Sequence, residues 1–336
     1  MENKRIEYIT LASVLSAVAV VFLHTNEYVL YFAETGGNLN WFLANLVHSI
    51  CFPAVPIFFM ISGAMLFNFH TKYDLKTFFI KRINKTVIPY VIWSLFGLIF
   101  SIYFLKTISI DNVNLKYILL GLINGNIVGP YWFFTLLFMF YCLIPLFSRI
   151  ISNKKYCQYC MIILLIITLL FAHDGYSKIA IVGYLFFGMF GYYIHEYGIS
   201  MNFKRCLYIL GVLGLLFHLF GTYYLSILSG QYVDLFKSYT HITCICYSVG
   251  LFTFMKYDLV RIMEFSRFNK LISFLDFYTF GIYLIHWYII KILIKLLNIN
   301  ISSVCYRLLS PFFIIMCCVC IIYLMRKIPL LKNIVP

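Results

Sequence analysis

The sequence predicts an all-α polytopic membrane protein with about ten transmembrane helices, folded as a single domain over residues 1–336. Of its residues 63% are hydrophobic and only 11% are charged, a composition that excludes a soluble protein. A membrane-spanning helix needs about 20 mostly apolar residues, and such stretches recur from end to end. No interval between them is long enough for a separate soluble domain.

The apolar stretches define ten predicted spans, whose ends are read to within several residues. They are residues 8–26, 42–67, 86–105, 131–151, 157–173, 179–196, 205–228, 238–256, 275–297 and 303–326. The first is too long for a cleaved signal peptide and lacks a small-x-small cleavage site, so we expect it to be retained.

Lysine and arginine predict the orientation, because cytoplasmic loops carry an excess of both. With the N-terminus inside, 19 of the 26 basic residues lie on the inner side: Lys4, Arg5, Lys72, Lys76, Lys81, Arg82, Lys85, Arg149, Lys154, Lys155, Lys204, Arg205, Lys256, Arg261, Arg267, Lys270, Arg326, Lys327 and Lys332. The other 7 lie on the outer side: Lys106, Lys116, Lys178, Lys237, Lys291, Lys295 and Arg307. This split predicts that both termini are cytoplasmic.

The net charge of +14 is concentrated in these short inner loops, so it indicates contact with anionic lipid and not with nucleic acid. Residues 72–85 alternate bases with apolar side chains, which predicts an amphipathic helix along the inner membrane surface. The same bases could instead bind the phosphates of a cytosolic cofactor. The longest outer segment, 106–130, ends in an aromatic run from Tyr131 to Phe134 that is typical of the membrane interface.

The cysteines and prolines have structural interpretations. Cys157 and Cys160 have redox or zinc spacing, but no second pair accompanies them, so we interpret them as core residues. Pro53 and Pro56, followed by Ser62 and Gly63, predict a kink in the second span. No matched pair of Gly- or Pro-broken spans occurs in the two halves of the chain, which disfavours a transporter built from inverted repeats.

His24 is the leading candidate for a functional residue. A titratable group at membrane depth is costly and favours a functional site, although a histidine hydrogen-bonded inside a helix bundle is the alternative. Helical phase places Ser13, Ser16, Val20, His24 and Glu27 on one narrow face. At about 1.5 Å per residue, His24 lies some 24 Å above Tyr8, in the outer half of the membrane.

Two further histidines are candidates. His48, near the outer start of the second span, could neighbour His24, and His286 also lies inside an apolar span. No H-E-x-x-H or comparable spacing of ligands occurs, so we expect no catalytic metal.

Five segments in order resemble the integral membrane acyltransferases of the "acyltransferase 3" type. They are Arg5-Ile6-Glu7-Tyr8-Ile9 leading to Leu23-His24-Thr25; Pro56-Ile57-Phe58-Phe59-Met60-Ile61-Ser62-Gly63; Phe78-Phe79-Ile80-Lys81-Arg82-Ile83 running into Ile88-Pro89-Tyr90; Tyr131-Trp132-Phe133-Phe134; and Thr279-Phe280-Gly281-Ile282-Tyr283-Leu284-Ile285-His286. The resemblance implies ten spans with both termini inside, and transfer of an acyl group, usually acetyl from cytosolic acetyl-CoA, onto sugars of bacterial surface glycans.

By this resemblance His24 is the essential histidine, acting as a base or a transient acyl carrier, and Arg82, with Lys81 and Lys85, would bind the phosphates of the donor. Neutral histidine suits the removal of a proton from a sugar hydroxyl. Glu27, Ser62, Trp132, Tyr283 and His286 are candidates for catalytic support.

Two positions depart from the family pattern. Ser13 stands where the family commonly has arginine or lysine, eleven residues before the histidine, and Tyr131 replaces a frequent histidine before the Trp-Phe pair. Either another base replaces the one missing at position 13, or the subgroup uses another arrangement, or activity is impaired. The rival function is export or flipping of a surface polysaccharide or lipid-linked sugar, with His24 coupled to protons.

Overall fold

The computed structural model describes residues 6–171 and 180–336. Three of the basic residues used for the orientation, Lys4, Arg5 and Lys178, lie outside the described residues, as do the end of the predicted span 157–173 and the start of the span 179–196. The described residues form helices and no strands. The helices are α1 (Glu7–Thr25), α2 (Phe32–Thr35), α3 (Leu39–Cys51), α4 (Ala54–Leu66), α5 (Leu75–Arg82), α6 (Ile88–Phe100), α7 (Leu115–Asn124), α8 (Trp132–Ser148), α9 (Lys154–Phe171), α10 (Ala180–Tyr197), α11 (Met201–Leu216), α12 (Thr222–Ser229), α13 (Ile242–Tyr257), α14 (Ser266–Asp276), α15 (Thr279–Leu297) and α16 (Val304–Lys327).

The helical architecture confirms the predicted fold class. In the described part of the chain, 8 helical stretches are long and apolar enough to cross a membrane: Glu7–Thr25, Leu39–Thr71, Leu75–Leu105, Gly129–Ser148, Lys154–Phe171, Met201–Ser229, Thr279–Leu297 and Val304–Lys327. The predicted spans 179–196 and 238–256 coincide with α10 and α13, which are not among these eight. The count of ten spans and the cytoplasmic position of both termini therefore stay predictions.

Two helices organise the interior. Helix α1 packs against α3, α4, α13, α14, α15 and α16, and α10 packs against α4, α8, α9 and α13. Helices α4 and α10 approach so closely that a Cβ added at Gly63 would overlap the backbone of Gly188, and one added at Gly191 would overlap the backbone of Met60. Small residues permit such close contact between helices in a membrane.

The basic segment 72–85 contains a helix, α5, and its position along the inner membrane surface stays a prediction. Helix α5 continues into α6 through a π-helical turn, Ile83–Val87. Pro89, at the start of α6, lacks an N–H, and its ring would clash with the Lys85 carbonyl of a regular α-helix. The wider π turn accommodates the proline, so α5 and α6 belong to one helical stretch, Leu75–Leu105, that is long and apolar enough to cross a membrane.

The long outer segment contains a helix that the sequence analysis did not predict, α7. Its N-cap residue, Asn114, accepts a hydrogen bond from the Tyr117 backbone amide at 2.9 Å, and it ends at Gly125 with φ of +67°. The Tyr90 hydroxyl donates to the Leu122 carbonyl at 2.6 Å and fixes α7 to α6. The outer segment is therefore folded back onto the helix bundle.

Candidate functional site

His24 lies in the last turn of α1 and forms a hydrogen-bonded pair with Glu27. The His24 Nδ1 atom donates to Glu27 Oε1 at 2.9 Å. The side chains are 25% and 46% exposed, so water and small molecules reach both groups. The two residues that helical phase placed on one face are thus in contact, with Glu27 in the turn that follows α1.

The chain reversal after α1 positions Glu27. Helix α1 ends at Thr25, and a 3₁₀ turn over Glu27–Leu30 follows Asn26. The Asn26 side chain is buried and donates to the carbonyls of Phe22 at 2.9 Å and of Arg307 at 3.2 Å, which fixes the end of α1 to α16. The Trp41 indole donates to the Val29 carbonyl at 2.7 Å and anchors the turn to α3.

The pair sets the chemistry of His24. Burial raises the pKa of the Glu27 carboxyl, but the hydrogen bond and charge of His24, with a contribution from Lys291, outweigh burial and hold that pKa below its usual range. An ionised carboxylate can only accept hydrogen bonds, so the hydrogen of neutral His24 is on Nδ1. The Nε2 atom then keeps its lone pair and is available as a base.

His286 lies beside His24, a contact that the sequence analysis did not predict. The ring centroids are 5.3 Å apart. His286 is completely buried, and its Nδ1 atom donates to the Ile282 carbonyl at 3.0 Å. Its Nε2 atom has no hydrogen-bond partner in the described part of the chain, although a buried polar atom is usually paired.

A cavity of about 220 Å³ adjoins His24. Its lining residues come from α1 and the turn after it, the end of α3, α4, the start of α8, the loop before α13, and α15: Val20, Leu23, His24, Glu27, Leu30, His48, Phe52, Val55, Pro130, Trp132, Tyr239 and Tyr283. Three of the predicted support residues, Glu27, Trp132 and Tyr283, thus line one cavity with His24.

Two of the aromatic side chains in this cavity are fixed by their contacts. The Trp132 ring packs against the Tyr239 ring, with centroids 5.6 Å apart. The Tyr283 hydroxyl donates to the Pro130 carbonyl at 2.7 Å, so its hydrogen is already used. Tyr283 therefore shapes the cavity and is a poor candidate for an oxyanion donor.

Ser62 lies apart from this cavity. The residue of α4 that lines the cavity is Val55, and Ser62 follows it by seven positions, or about 10 Å along the helix axis. Gly63, the other member of the Ser-Gly pair, lies at the contact between α4 and α10. Gly63 therefore has a packing role, and the predicted role of Ser62 stays a prediction.

Ser13, which stands where the family commonly has a base, contacts uncharged groups. The Ser13 hydroxyl donates to Thr279 Oγ1 at 3.3 Å, and the Thr279 hydroxyl donates to the Asp276 carbonyl at 3.0 Å. Further toward the inner end of α1, the Lys256 amine lies over the Tyr8 ring at 5.4 Å. Lys256 is thus the cation that this structure places against the inner part of α1, and it comes from α13.

The predicted donor-binding bases lie at the other end of the protein. The Arg82 guanidinium lies between the rings of Phe78 and Tyr141, at 5.8 Å and 5.7 Å, and its Nε atom is buried without a hydrogen-bond partner. Lys81 lies over the Tyr73 ring at 3.9 Å, and Lys85 is exposed. The π turn begins directly after Arg82, so a local distortion of the helix accompanies this cluster.

Sequence reasoning missed Lys237. It is one of the cations assigned to the outer side, yet its side chain is buried against Asn45 and His48. These partners lie 192 and 189 positions away, so no local pattern indicates the contact. The described residues hold no cluster of three or more His, Cys, Asp or Glu side chains that could bind a metal ion, and all eleven cysteines are free.

Comparison with known proteins identifies the family of this chain. A family model described as "acyltransferase domain" matches residues 6–326, nearly the whole chain. No curated protein and no solved structure matches the chain significantly.

Proposed function

The chain belongs to the acyltransferase domain family and is a multi-pass membrane protein, and from this premise we propose that it is an O-acetyltransferase of the bacterial cell membrane. In this proposal it transfers an acetyl group from cytosolic acetyl-CoA to a hydroxyl of a cell-surface polysaccharide or glycan precursor. The observation that carries the proposal is the His24–Glu27 pair, which leaves a basic imidazole nitrogen beside a cavity.

The chemistry follows from that pair. His24 Nε2 removes the proton from the sugar hydroxyl as its oxygen attacks the thioester carbon, and Glu27 stabilises the imidazolium that forms. When the C–S bond breaks, the imidazolium returns the proton to the leaving thiolate. The products are the acetyl ester and free coenzyme A. If His24 first accepts the acetyl group itself, the same nitrogen is the nucleophile.

The inner basic cluster supports a donor site. Coenzyme A carries several phosphate groups, and an arginine whose guanidinium is fixed by two aromatic rings presents its donors in a constant direction. Lys81 and Lys85 add positive charge on the same helical segment. The acetyl group must then pass from this cluster to the outer half of the bundle to meet His24.

The cavity supports a small polar acceptor with an apolar face. Trp132 and Tyr239 form an aromatic wall on one side, and the His24–Glu27 pair provides hydrogen-bonding groups. A sugar ring has the same two-sided character.

The test is acetyl transfer from radiolabelled acetyl-CoA in membranes that contain the full chain, together with mass spectrometry of the surface glycan with and without the gene. We expect the His24→Ala and His24→Asn variants to lose transfer while they keep the expression level and gel-filtration profile of the parent. His70→Ala is the matched control, because His70 is an exposed histidine away from the cavity. Undiminished transfer by His24→Ala would overturn the mechanism.

The rival function has a distinct outcome. An exporter of a polysaccharide or lipid-linked sugar would leave acetylation of the glycan unchanged when the gene is removed and would lower the amount of glycan at the surface. That result would favour a transport function and exclude the proposed acetyltransferase function.

A further inference from the structure

The cavity beside His24 contains a second histidine, His48, which lies on α3. The Lys237 amine donates to His48 Nδ1 at 3.2 Å and to Asn45 Oδ1 at 2.5 Å. Among the described residues, no hydrogen bond involves His48 Nε2. One ring nitrogen of His48 is therefore held by Lys237, and the other remains available to a ligand.

Asn45 fixes the direction of this contact. Its side-chain amide donates to the Leu219 carbonyl at 2.9 Å, so its oxygen faces the Lys237 amine. Leu219 lies in a π-helical turn, Phe217–Gly221, where the wider helix leaves a carbonyl accessible. Lys237 is 6% exposed, and both of its partners are uncharged. The network is thus a buried support for His48.

An ammonium group has three hydrogens and no acceptor, so His48 Nδ1 must accept and the ring hydrogen must be on Nε2. Glu27 imposes the opposite arrangement on His24, whose Nδ1 carries the hydrogen. One cavity therefore contains two histidines with opposite tautomers. His24 offers a lone pair, and His48 offers an N–H.

We propose that His48 Nε2–H is the donor that stabilises the oxyanion of the acyl group during transfer, and that Lys237 is the residue that positions it. This inference rests on the proposed acyl transfer. A donor aimed at a developing oxyanion is among the strongest catalytic contributions, and a neutral imidazole can supply it.

His48 and His24 act together in the proposed acyl transfer. The sugar oxygen bonds to the thioester carbon while its proton moves to His24 Nε2, and the electron pair of the C=O bond moves to oxygen, where His48 Nε2–H donates to it. The C=O bond then reforms, the C–S bond breaks, and the thiolate takes the proton from His24. His48 keeps its hydrogen throughout.

The charged and titratable groups around His48 make the arrangement sensitive to pH. Lys237, His218, His24 and Glu27 face it from the outer loop, the π turn, α1 and the turn after α1. Burial without an acidic partner holds the pKa of Lys237 well below the usual lysine range. Once Lys237 is neutral, its lone pair can accept from Nδ1, so His48 can lose the Nε2–H tautomer. The rate of acetyl transfer should therefore decrease as the pH rises through the pKa of Lys237.

Substitution of His48 tests the donor. A glutamine amide nitrogen matches the position of Nε2, whereas an asparagine is too short to reach the cavity from the same backbone. We expect His48→Gln to retain most of the kcat for acetyl transfer, and His48→Asn and His48→Leu to lose about 10²- to 10³-fold with little change in KM for acetyl-CoA. Equal activity of the Gln and Asn variants, or a His48→Leu variant within threefold of the parent, would overturn the role of His48.

Substitution of Lys237 tests the positioning role through the pH profile. Arginine stays protonated at every working pH, so in Lys237→Arg the alkaline fall should disappear while activity at neutral pH persists. In Lys237→Met the support is lost, and we expect kcat to drop about tenfold, as after loss of an outer partner at a metal-bound histidine. An alkaline fall that is the same in all three proteins would overturn the positioning role.

The tautomers can be measured without any activity. Nitrogen-15 NMR of the histidine-labelled full chain should show His48 as the Nε2–H form, assigned by its loss in His48→Gln, and a mixed tautomer in Lys237→Met. If the parent shows His48 as the Nδ1–H form, this inference fails even if acetyl transfer is confirmed. If the tautomers are as stated but no acetyl transfer is found, the proposed function fails.

Discussion

At the scale of single residues, hydrogen bonds to one nitrogen of an imidazole decide what the other nitrogen can do. Glu27 accepts the hydrogen bond from His24 Nδ1, which leaves His24 Nε2 free to act as a base. The Ile282 carbonyl likewise accepts from His286 Nδ1, so the Nε2 atom of neutral His286 carries no hydrogen. Both partners act on the reaction through an imidazole ring, by fixing which of its nitrogens carries the hydrogen. A change of partner should therefore alter the rate more than it alters binding.

Glu27→Gln tests this relation. A glutamine amide can donate to Nδ1, which moves the hydrogen of His24 to Nε2 and removes the base. We expect kcat to fall about 10²-fold or more while KM for acetyl-CoA stays within a factor of two. Glu27→Asp, which keeps the carboxylate, should lose less, and kinetics on purified protein would show it. A Gln variant as active as the parent would show that the pair is structural.

The sequence predicts this site only in part, because contacts between residues that are distant in sequence form only when the helices pack. His24 and Glu27 are three positions apart, so helical phase predicts that they lie on one face, although in the structure Glu27 reaches His24 from the 3₁₀ turn after α1. The histidines at positions 24 and 286 meet only through the packing of α1 on α15, which neither periodicity nor the family resemblance predicted. No sequence pattern indicates the contacts of Lys237, because its partners on α3 are distant in sequence. From the sequence alone, Lys237 is an ordinary cation of an outer loop.

At the scale of helices, hydropathy predicts where a span lies but not its internal distortions. The π turns over Ile83–Val87 and Phe217–Gly221 each occur inside a continuous apolar or basic pattern. One accommodates Pro89, and the other supplies the Leu219 carbonyl to Asn45. Such turns depend on local hydrogen bonding, so the average hydropathy of a window does not register them.

The π turn beneath the inner basic cluster leads to a prediction for Arg82. If its guanidinium binds a donor phosphate, Arg82→Ala should raise KM for acetyl-CoA about tenfold and leave kcat nearly unchanged, because the contact is the same in ground and transition states. Lys270→Ala, at an exposed position of the predicted inner surface, is the matched control. A fall in kcat without a change in KM would place Arg82 in the fold and not in donor binding.

The contact between α4 and α10 predicts a strong effect of added volume. A side chain at Gly191 would overlap the Met60 backbone, which cannot move aside as a side chain could. We expect Gly191→Leu to lower the free energy of unfolding by about 2 to 3 kcal/mol, measured by thermal unfolding in detergent. Gly36→Asn is the control, because Gly36 has open space around it and asparagine tolerates its φ of +58°. Equal melting temperatures would contradict the contact.

At the scale of the whole molecule, charge and hydropathy predict the fold class but leave the span count to experiment. Helix α13 has 16 residues and is shorter than a typical span, although it lies where one was predicted. Two of the cations assigned to the outer side, Lys237 and Arg307, are buried in protein and do not face water. A count of loop charges cannot recognise such residues, because burial is a property of the folded chain.

Epitope insertion tests the predicted topology. Short tags after Gly36 and after Gly230, two open turns of the predicted outer side, should be labelled by antibody on intact cells. Tags at residue 336 and after Asn153 should be labelled only after the membrane is permeabilised. A tag at residue 336 that is labelled on intact cells would show an odd number of crossings if the N-terminus is inside.

The backbone contact of α4 with α10 also bears on how the protein responds to its bilayer. Helix α1, which presents His24, packs against α4, so its depth is set by a helix pair whose backbones meet directly at Gly63 and Gly191. A thinner or thicker bilayer would therefore be accommodated by lipid and by the peripheral helices, not by compression of this pair. Acetyl transfer should consequently vary little between vesicles made from short-chain and long-chain lipids.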